Sequence, residues 1–162
     1  MTATTFIHTS DFQLGMTRWF LKGEAQGRFN DDREAAIVRL GELAEETGAE
    51  FIVVAGDVFE HNALSREILA RATEMFKRLP VPVYVLPGNH DPLVADSVFY
   101  KASADNVHVI ADSEPIEVAP GVELVGAPYL SKRANHDLVR QALEPLGPAA
   151  GIRIAVGLSL IH

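Results

Sequence analysis

The sequence predicts an α/β fold organised around a parallel sheet, and three observations carry that prediction. Three runs of β-formers, residues 6–10, 51–55 and 83–86, alternate with two stretches of helical periodicity. The order β-α-β-α-β implies a parallel sheet with right-handed crossovers. The middle run, Phe51-Ile52-Val53-Val54-Ala55, is continuously apolar, as a strand covered on both faces should be. Finally, each run breaks at its carboxyl end into a polar tip: Ser10-Asp11-Phe12-Gln13, Gly56-Asp57, and Gly88-Asn89-His90-Asp91. Ligands of open α/β sheets bind at such ends.

The elements follow in order. Residues 6–10 read as the first strand and 11–27 as a loop carrying Trp19 and Phe20. Asn30-Asp31-Asp32 offers an N-cap and an acidic first turn. Ile37, Leu40, Leu43 and Ala44 then supply one apolar helical face, and Gly48 a stop. Ser65 caps a second helix whose Ile68, Leu69, Ala72, Met75, Phe76 and Leu79 form a stripe, ended by Pro80 and Pro82. Beyond the third strand the pattern is less regular. A short helix is expected over 96–104 and a strand over 107–110. Residues 116–118 and 122–125 flank Ala119-Pro120-Gly121, a hairpin signal. Asn135 is expected to cap a last helix with Leu138, Val139, Ala142, Leu143 and Leu146 inward, stopped by Gly147-Pro148 before a strand at 152–156.

Composition narrows the chemistry. The 162 residues suit one domain with a real core. No run approaches the ~18 apolar residues of a membrane span, and Met1-Thr2-Ala3-Thr4-Thr5 lacks the features of a signal peptide, so no membrane and a cytoplasmic location are the default expectations. With 0 Cys there is no disulfide, thiolate zinc site or thiol nucleophile, and any metal must sit on oxygen and nitrogen donors. A net charge of -8 argues against a broad electrostatic grip on nucleic acid. It leaves nucleic acid open as a substrate, because bound divalent cations change the local charge of an acidic site.

The three tips suggest one shared centre. Asp57, after Gly56, offers two carboxylate oxygens able to bridge two cations, and Asp11 adds a carboxylate to one of them. Asn89 supplies an amide oxygen, and His90 is either a ligand or a group that polarises or protonates a substrate oxygen. Two ions ~3.5–4 Å apart can clamp the attacking and leaving oxygens of an in-line displacement. Taken singly, Asp57 would read as a turn-capping carboxylate; the matching tips favour a ligand. Asp91 before Pro92 reads as a turn or cap residue, His8 as a buried strand histidine or a group supporting the ligands from behind, and His61, His108 and His136 as surface residues. Trp19, Phe20 and Phe29 form either a substrate wall or a cover over the sheet's end. Arg18, Lys22 and Arg28 are either phosphate contacts or solvated loop residues.

The segments His8-Thr9-Ser10-Asp11 with Leu14-Gly15, Gly56-Asp57-Val58-Phe59, and Gly88-Asn89-His90-Asp91 resemble, in order and spacing, the first three motifs of the calcineurin-like metallophosphoesterases. More closely they resemble the SbcD-type bacterial DNA repair nucleases, over residues 6–91 and more loosely to 156. The resemblance implies a four-layer fold, a β-sandwich flanked by helices, and a pair of divalent ions: Mn foremost, with Mg, Fe or Zn as alternatives. It implies Asp11 on the first metal, Asp57 bridging, Asn89 on the second, and His90 assisting at the leaving group. Glu60 falls where some branches place an acid that orients this histidine. The implied substrate is a phosphate ester, with DNA the candidate the nuclease resemblance adds.

Two departures accompany the resemblance. Gln13 stands where a ligand His belongs; it reads as an amide-oxygen donor that disfavours Zn, or as a plain polar loop residue. Gly157 is followed by Leu158 where a Gly-His motif is implied, and the chain stops at His162, itself expected to be disordered. The segment therefore reads as the N-terminal portion, residues 1–162, of a metallophosphoesterase domain lacking its C-terminal part and holding about half the implied ligands. An impaired metal-binding or interaction module is the alternative function. A partner chain or second copy covering the C-terminal sheet edge is a further expectation.

Overall fold

A computed structural model describes residues 3–158 of the chain; His162 lies outside the described residues. The first sheet holds β1 (Phe6–Thr9), β2 (Phe51–Val54), β3 (Val83–Val85) and β4 (Val107–Val109), all parallel and in the order β1-β2-β3-β4. Every side chain of β2 is buried, and its alternation decides the layering. Ile52 and Val54 face the helices α1 (Ala25–Thr47) and α2 (Arg66–Phe76), where they meet Ile37, Leu69 and Phe76. Phe51 and Val53 face the other way, toward Leu124 and Val156 of a second sheet. A strand covered on both faces has no use for polar residues, which is why this run is uninterrupted.

The second sheet has the order β5-β6-β7, from β5 (Ile116–Ala119), β6 (Val122–Ala127) and β7 (Ile152–Gly157). β5 and β6 form the expected antiparallel hairpin, turned by Gly121 at φ 73°. β7 lies parallel to β6, so the chain must cross over, and it does so through α3 (Leu138–Leu143). Ala142 of α3 packs on Val125 and Ala127, the outward face of β6. The outcome is four layers: α1 and α2, first sheet, second sheet, α3. The sheets approach closely at Gly126, where an added Cβ would lie 2.2 Å from Ile110 Cγ2.

Several boundaries differ from the sequence expectation. Helix α1 starts at Ala25 rather than at Asn30, because Gln26 anchors an earlier turn. Its amide accepts from Arg18 N–H at 2.9 Å and donates to Met16 O at 3.2 Å and to Asn30 Oδ1 at 2.9 Å, so Asn30 serves mid-helix. Gly48 ends α1 at φ 64°, and the Ser65 hydroxyl caps α2 by accepting from Ile68 N–H, both as expected. Asp137, not Asn135, caps α3 by accepting from Arg140 N–H. The stretch 96–104 holds only a single 3-10 turn, Val98–Tyr100. His8 is exposed rather than buried, since β1 is the outermost strand and of that face only Phe6 packs inward, stacking on Phe51. Trp19 and Phe20 do not cover the sheet's end; they stand in solvent. Among the described residues no helix is long and apolar enough to cross a membrane.

The close approach at Gly126 gives a direct test of the layering. Gly126→Val should overpack the space against Ile110 and Leu86 and cost about 1–3 kcal/mol, read as a lowered urea midpoint. An unchanged midpoint would mean that the two sheets do not pack here.

Candidate metal centre

The three tips leave the first sheet side by side because β1, β2 and β3 are neighbours in register, with Thr9 opposite Val54 and Val54 opposite Val85. The first two tips are then laced together beyond the sheet. Asp11 N–H donates to Gly56 O at 3.1 Å, Gln13 N–H to Asp57 O at 2.9 Å and Leu14 N–H to Val58 O at 2.9 Å; Glu60 N–H returns a bond to Leu14 O at 3.0 Å. The third tip joins through side chains. His90 N–H donates to Asp57 Oδ1 at 3.0 Å. Asp91, fully buried, accepts from Gly88 N–H at 2.8 Å and from Phe59 N–H at 2.9 Å, one bond on each carboxylate oxygen. Asp91 is thus the clip between two tips, which agrees with reading it as a turn residue rather than a ligand.

The backbone at the candidate donors is itself unusual. Asp11, Gln13 and Asp57 have φ of 57°, 44° and 52°, and among the described residues no other non-glycine residue adopts a positive φ. That conformation costs an L-residue roughly 1–2 kcal/mol, and such outliers concentrate at functional sites. At Gly88 an added Cβ would fall 2.1 Å from Asp57 Oδ1, so only glycine lets the third tip come this close.

The electrostatics are those of crowded, partly buried carboxylates. Burial pushes the Asp57 carboxyl above its ordinary range; the His90 N–H opposes this, while the nearby Asp11 and Glu60 add to it. Burial also pushes Asp91 up to about 6, against its two backbone bonds. Asp11 is exposed, and Gln13 and Asn89 are half-buried, so the set faces solvent. His90 Nδ1 lies 3.1 Å from the main-chain oxygen of Glu60 and 3.8 Å from its Oε1. A carbonyl only accepts, so Nδ1 carries the proton in that bond and Nε2 remains available. The expected Glu60–His90 pairing therefore runs through the Glu60 main chain.

The donor set fits a hard, oxygen-seeking cation and is incomplete for a tightly held pair. Asp11 and Asp57 give carboxylates, Gln13 and Asn89 give amides, and among the described residues no group of three or more His, Cys, Asp or Glu side chains could hold a metal ion. Leu158, at the end of β7, lies against Gly56, where the resemblance implies an imidazole nearby. The seat there is apolar.

Three contributors escaped the sequence reading. Arg33, on α1, donates to Phe12 O at 2.7 Å and Gln13 O at 2.8 Å, and its guanidinium sits 4.6 Å over the Phe29 ring. It pins the first donor loop from the helix side. Asn62 accepts from Val98 N–H and donates to Pro92 O, holding the chain just past Asp91. Buried Tyr129 closes the far side, its N–H donating to Pro87 O, and its phenol is pushed up by burial and by Asp57. A basic or amide side chain within a helix or loop gives no spacing signal for such a role.

The clip is testable apart from any metal. Asp91→Ala orphans two buried N–H donors at about 1–3 kcal/mol each, so its urea midpoint should fall well below that of Asp91→Asn, which keeps one acceptor. Equal midpoints would show that the clip is not needed.

Comparison with known proteins places this geometry. The sequence model of the calcineurin-like phosphoesterases matches residues 4–147. The chain is 32% identical over 98 residues to the DNA double-strand break repair protein Mre11 of Archaeoglobus fulgidus, covering 59% of this chain and 21% of that protein. It is 27% identical over 123 residues to the uncharacterized metallophosphoesterase YhaO of Bacillus subtilis, covering 72% of this chain and 30% of that protein. The crystal structure of Pseudomonas putida nuclease MPE aligns over 93% of this chain and 59% of that one, at 16% identity and a TM-score of 0.44. The chain thus spans between about a fifth and a third of the two curated relatives. Because the family match takes in the three tips and both sheets up to α3, this chain belongs to the calcineurin-like phosphoesterase family.

Proposed function

We propose that the strand tips form a divalent-metal phosphodiesterase centre in which Asp11 holds one ion, Asp57 bridges, Asn89 holds a second, and Gln13 adds an amide oxygen. The observation that carries this reading is the coincidence of donor and strain: Asp11, Gln13 and Asp57 are the positive-φ residues, and hydrogen bonds between the two strand exits hold them together. Mn is the cation this set favours, with Mg next, because amide and carboxylate oxygens suit hard ions better than Zn. Divalent ions, when bound, supply positive charge to the phosphate oxygens and make water acidic enough to attack at neutral pH.

The chain's own residues do the rest. Asp57, desolvated and beside two other acids, has a charged form that an added cation would favour against that burial. Arg33 and the backbone lacing keep Asp11 and Gln13 from swinging away. His90, held at Nδ1 by the Glu60 carbonyl, leaves Nε2 free; as the imidazolium, with a proton on both nitrogens, it gives the Nε2 proton to the departing alkoxide oxygen and is left as the neutral ring protonated at Nδ1. DNA is the proposed substrate class, in keeping with what Mre11 of Archaeoglobus fulgidus is named for. A cytoplasmic setting, and a second copy or partner along the β7 edge, belong to the same proposal; among the described residues β7 pairs only with β6.

A second reading has its own observation. Leu158 against Gly56, where the resemblance implies an imidazole, favours an impaired metal-binding or interaction module without turnover; the lack of a three-residue acid or histidine cluster among the described residues weighs toward interaction. Hydrolysis of bis-p-nitrophenyl phosphate with Mn separates the two. The phosphodiesterase reading expects turnover that Asp57→Ala abolishes while the fold survives; no turnover at saturating Mn leaves the module.

Two variants probe the roles further. Gln13→His should shift metal preference from Mn toward Zn, since imidazole suits Zn and His tolerates the left-handed φ better than most residues; unchanged relative affinities in a metal titration would remove Gln13 from the donor set. His90→Ala should lower turnover about 10²–10⁴-fold on an alkyl phosphodiester and far less on a p-nitrophenyl ester, whose leaving group needs no proton. Glu60→Gln, which keeps the main-chain carbonyl, should change turnover and its pH profile little. Equal losses on both esters would rule out His90 as the acid.

A further inference from the structure

The loop from Met16 to Gly23 carries a feature that the metal centre does not use. Leu21 N–H donates to Arg18 O at 3.0 Å and closes a turn whose two central residues are Trp19 and Phe20. Turn tips normally take Gly, Pro, Asn, Asp or Ser. Here Trp19 is 92% exposed and Phe20 57%, with their rings edge to face at 5.8 Å. Neither ring joins a core cluster among the described residues. Aromatic area of this size held in water is a cost without return inside the chain.

The turn is also anchored. Gln26 ties Arg18 N–H to Met16 O, Met16 N–H donates to Gln13 O, and Arg33 reaches both Gln13 O and Met16 Sδ. The same residues therefore fix the aromatic turn and the donor loop. Trp19 lies six residues from Gln13, which bounds their separation at roughly 20 Å. Arg18 and Lys22 flank the rings and have no ion-pair partner among the described residues, although the chain as a whole carries a net charge of -8. Aromatic rings flanked by cations suit a polyanion whose repeating unit has a flat π face, which is a nucleic-acid strand with unpaired bases.

We propose that the Arg18–Lys22 turn is a stacking platform for an unpaired base of a single-stranded nucleic acid, its backbone met by Arg18 and Lys22 and a scissile phosphate lying at the Asp11–Asp57 centre. The proposal rests on reading that centre as a phosphodiesterase, and it makes Trp19 a positioning residue. An apolar lipid or protein surface would use the rings without needing the centre; continuity of the turn with the donor loop favours the strand.

Trp19 is the single tryptophan of the chain, so its emission reports on this turn alone. Titrating oligothymidylate in EDTA, where hydrolysis cannot intervene, should quench that emission, while blunt duplex DNA and inorganic polyphosphate at matched charge should quench it little. Trp19→Ala should weaken binding of an end-labelled oligothymidylate, followed by anisotropy, by about 5- to 150-fold. Lys22→Ala should instead reduce the salt slope by about one. Equal quenching by polyphosphate or duplex, equal binding by Trp19→Ala with an unchanged thermal midpoint, or a blue shift with anionic phosphatidylserine vesicles and none with oligothymidylate, would each overturn the proposal. Loss of quenching with bis-p-nitrophenyl phosphate hydrolysis intact sinks the platform alone; quenching without hydrolysis sinks only the phosphodiesterase reading.

Discussion

The buried carboxylate of Asp91 takes one backbone N–H from Gly88 and another from Phe59, and the rest of the site depends on that arrangement. Two strand exits that would otherwise diverge are held at hydrogen-bond distance by a side chain that water does not reach. With Asp91 in place, His90 N–H falls on Asp57 and the absence of a side chain at Gly88 becomes necessary. The clip is held against its own desolvation, which is why its carboxyl is pushed up to about 6. A group so placed would be a poor choice for stability alone; it is understandable where the position of neighbouring donors matters more.

A second constraint comes from the helix layer. α1 begins earlier than its capping signals suggest because Gln26 and Arg33 both reach back to the loop that leaves β1. The donor loop is thus sandwiched between main-chain bonds to the β2 exit and side-chain bonds to α1. Left-handed φ angles at Asp11 and Gln13 persist because the surroundings over-determine them. Phe12 and Leu14 of the same loop are packed in one buried cluster with Ile37, Ile52 and Val54.

Much of this was legible in the sequence, for identifiable reasons. The parallel β-α-β-α-β half could be read because β2 is apolar throughout and because Ser65, Gly48 and Pro80 punctuate the helices. The hairpin announced itself through Pro120-Gly121. The side-by-side run of the chain through Asp11–Leu14 and Gly56–Val58 followed from their place at neighbouring strand ends. Side-chain capping was harder to read: Asn30 and Asn135 carry the right chemistry for caps, but α1 begins at Ala25 with no side-chain cap, and Asp137 caps α3. Arg33 and Asn62 were invisible because their partners are main-chain carbonyls and amides far along the chain. His8 misled because burial at β1 depends on how far the second sheet extends, which no local pattern encodes.

The strand order has a consequence of its own. With β2 seated between β1 and β3, a group at its tip is one interstrand spacing, about 4.8 Å, from each neighbouring tip, whereas the outer two tips stand twice as far from one another. Sharing of a carboxylate between two seats is therefore a matter of rank in the sheet before it is a matter of side-chain chemistry. Within the proposed centre the middle berth falls to Asp57, and exchanging its carboxylate for the amide of the Asn89 flank would leave no group there able to serve both neighbours.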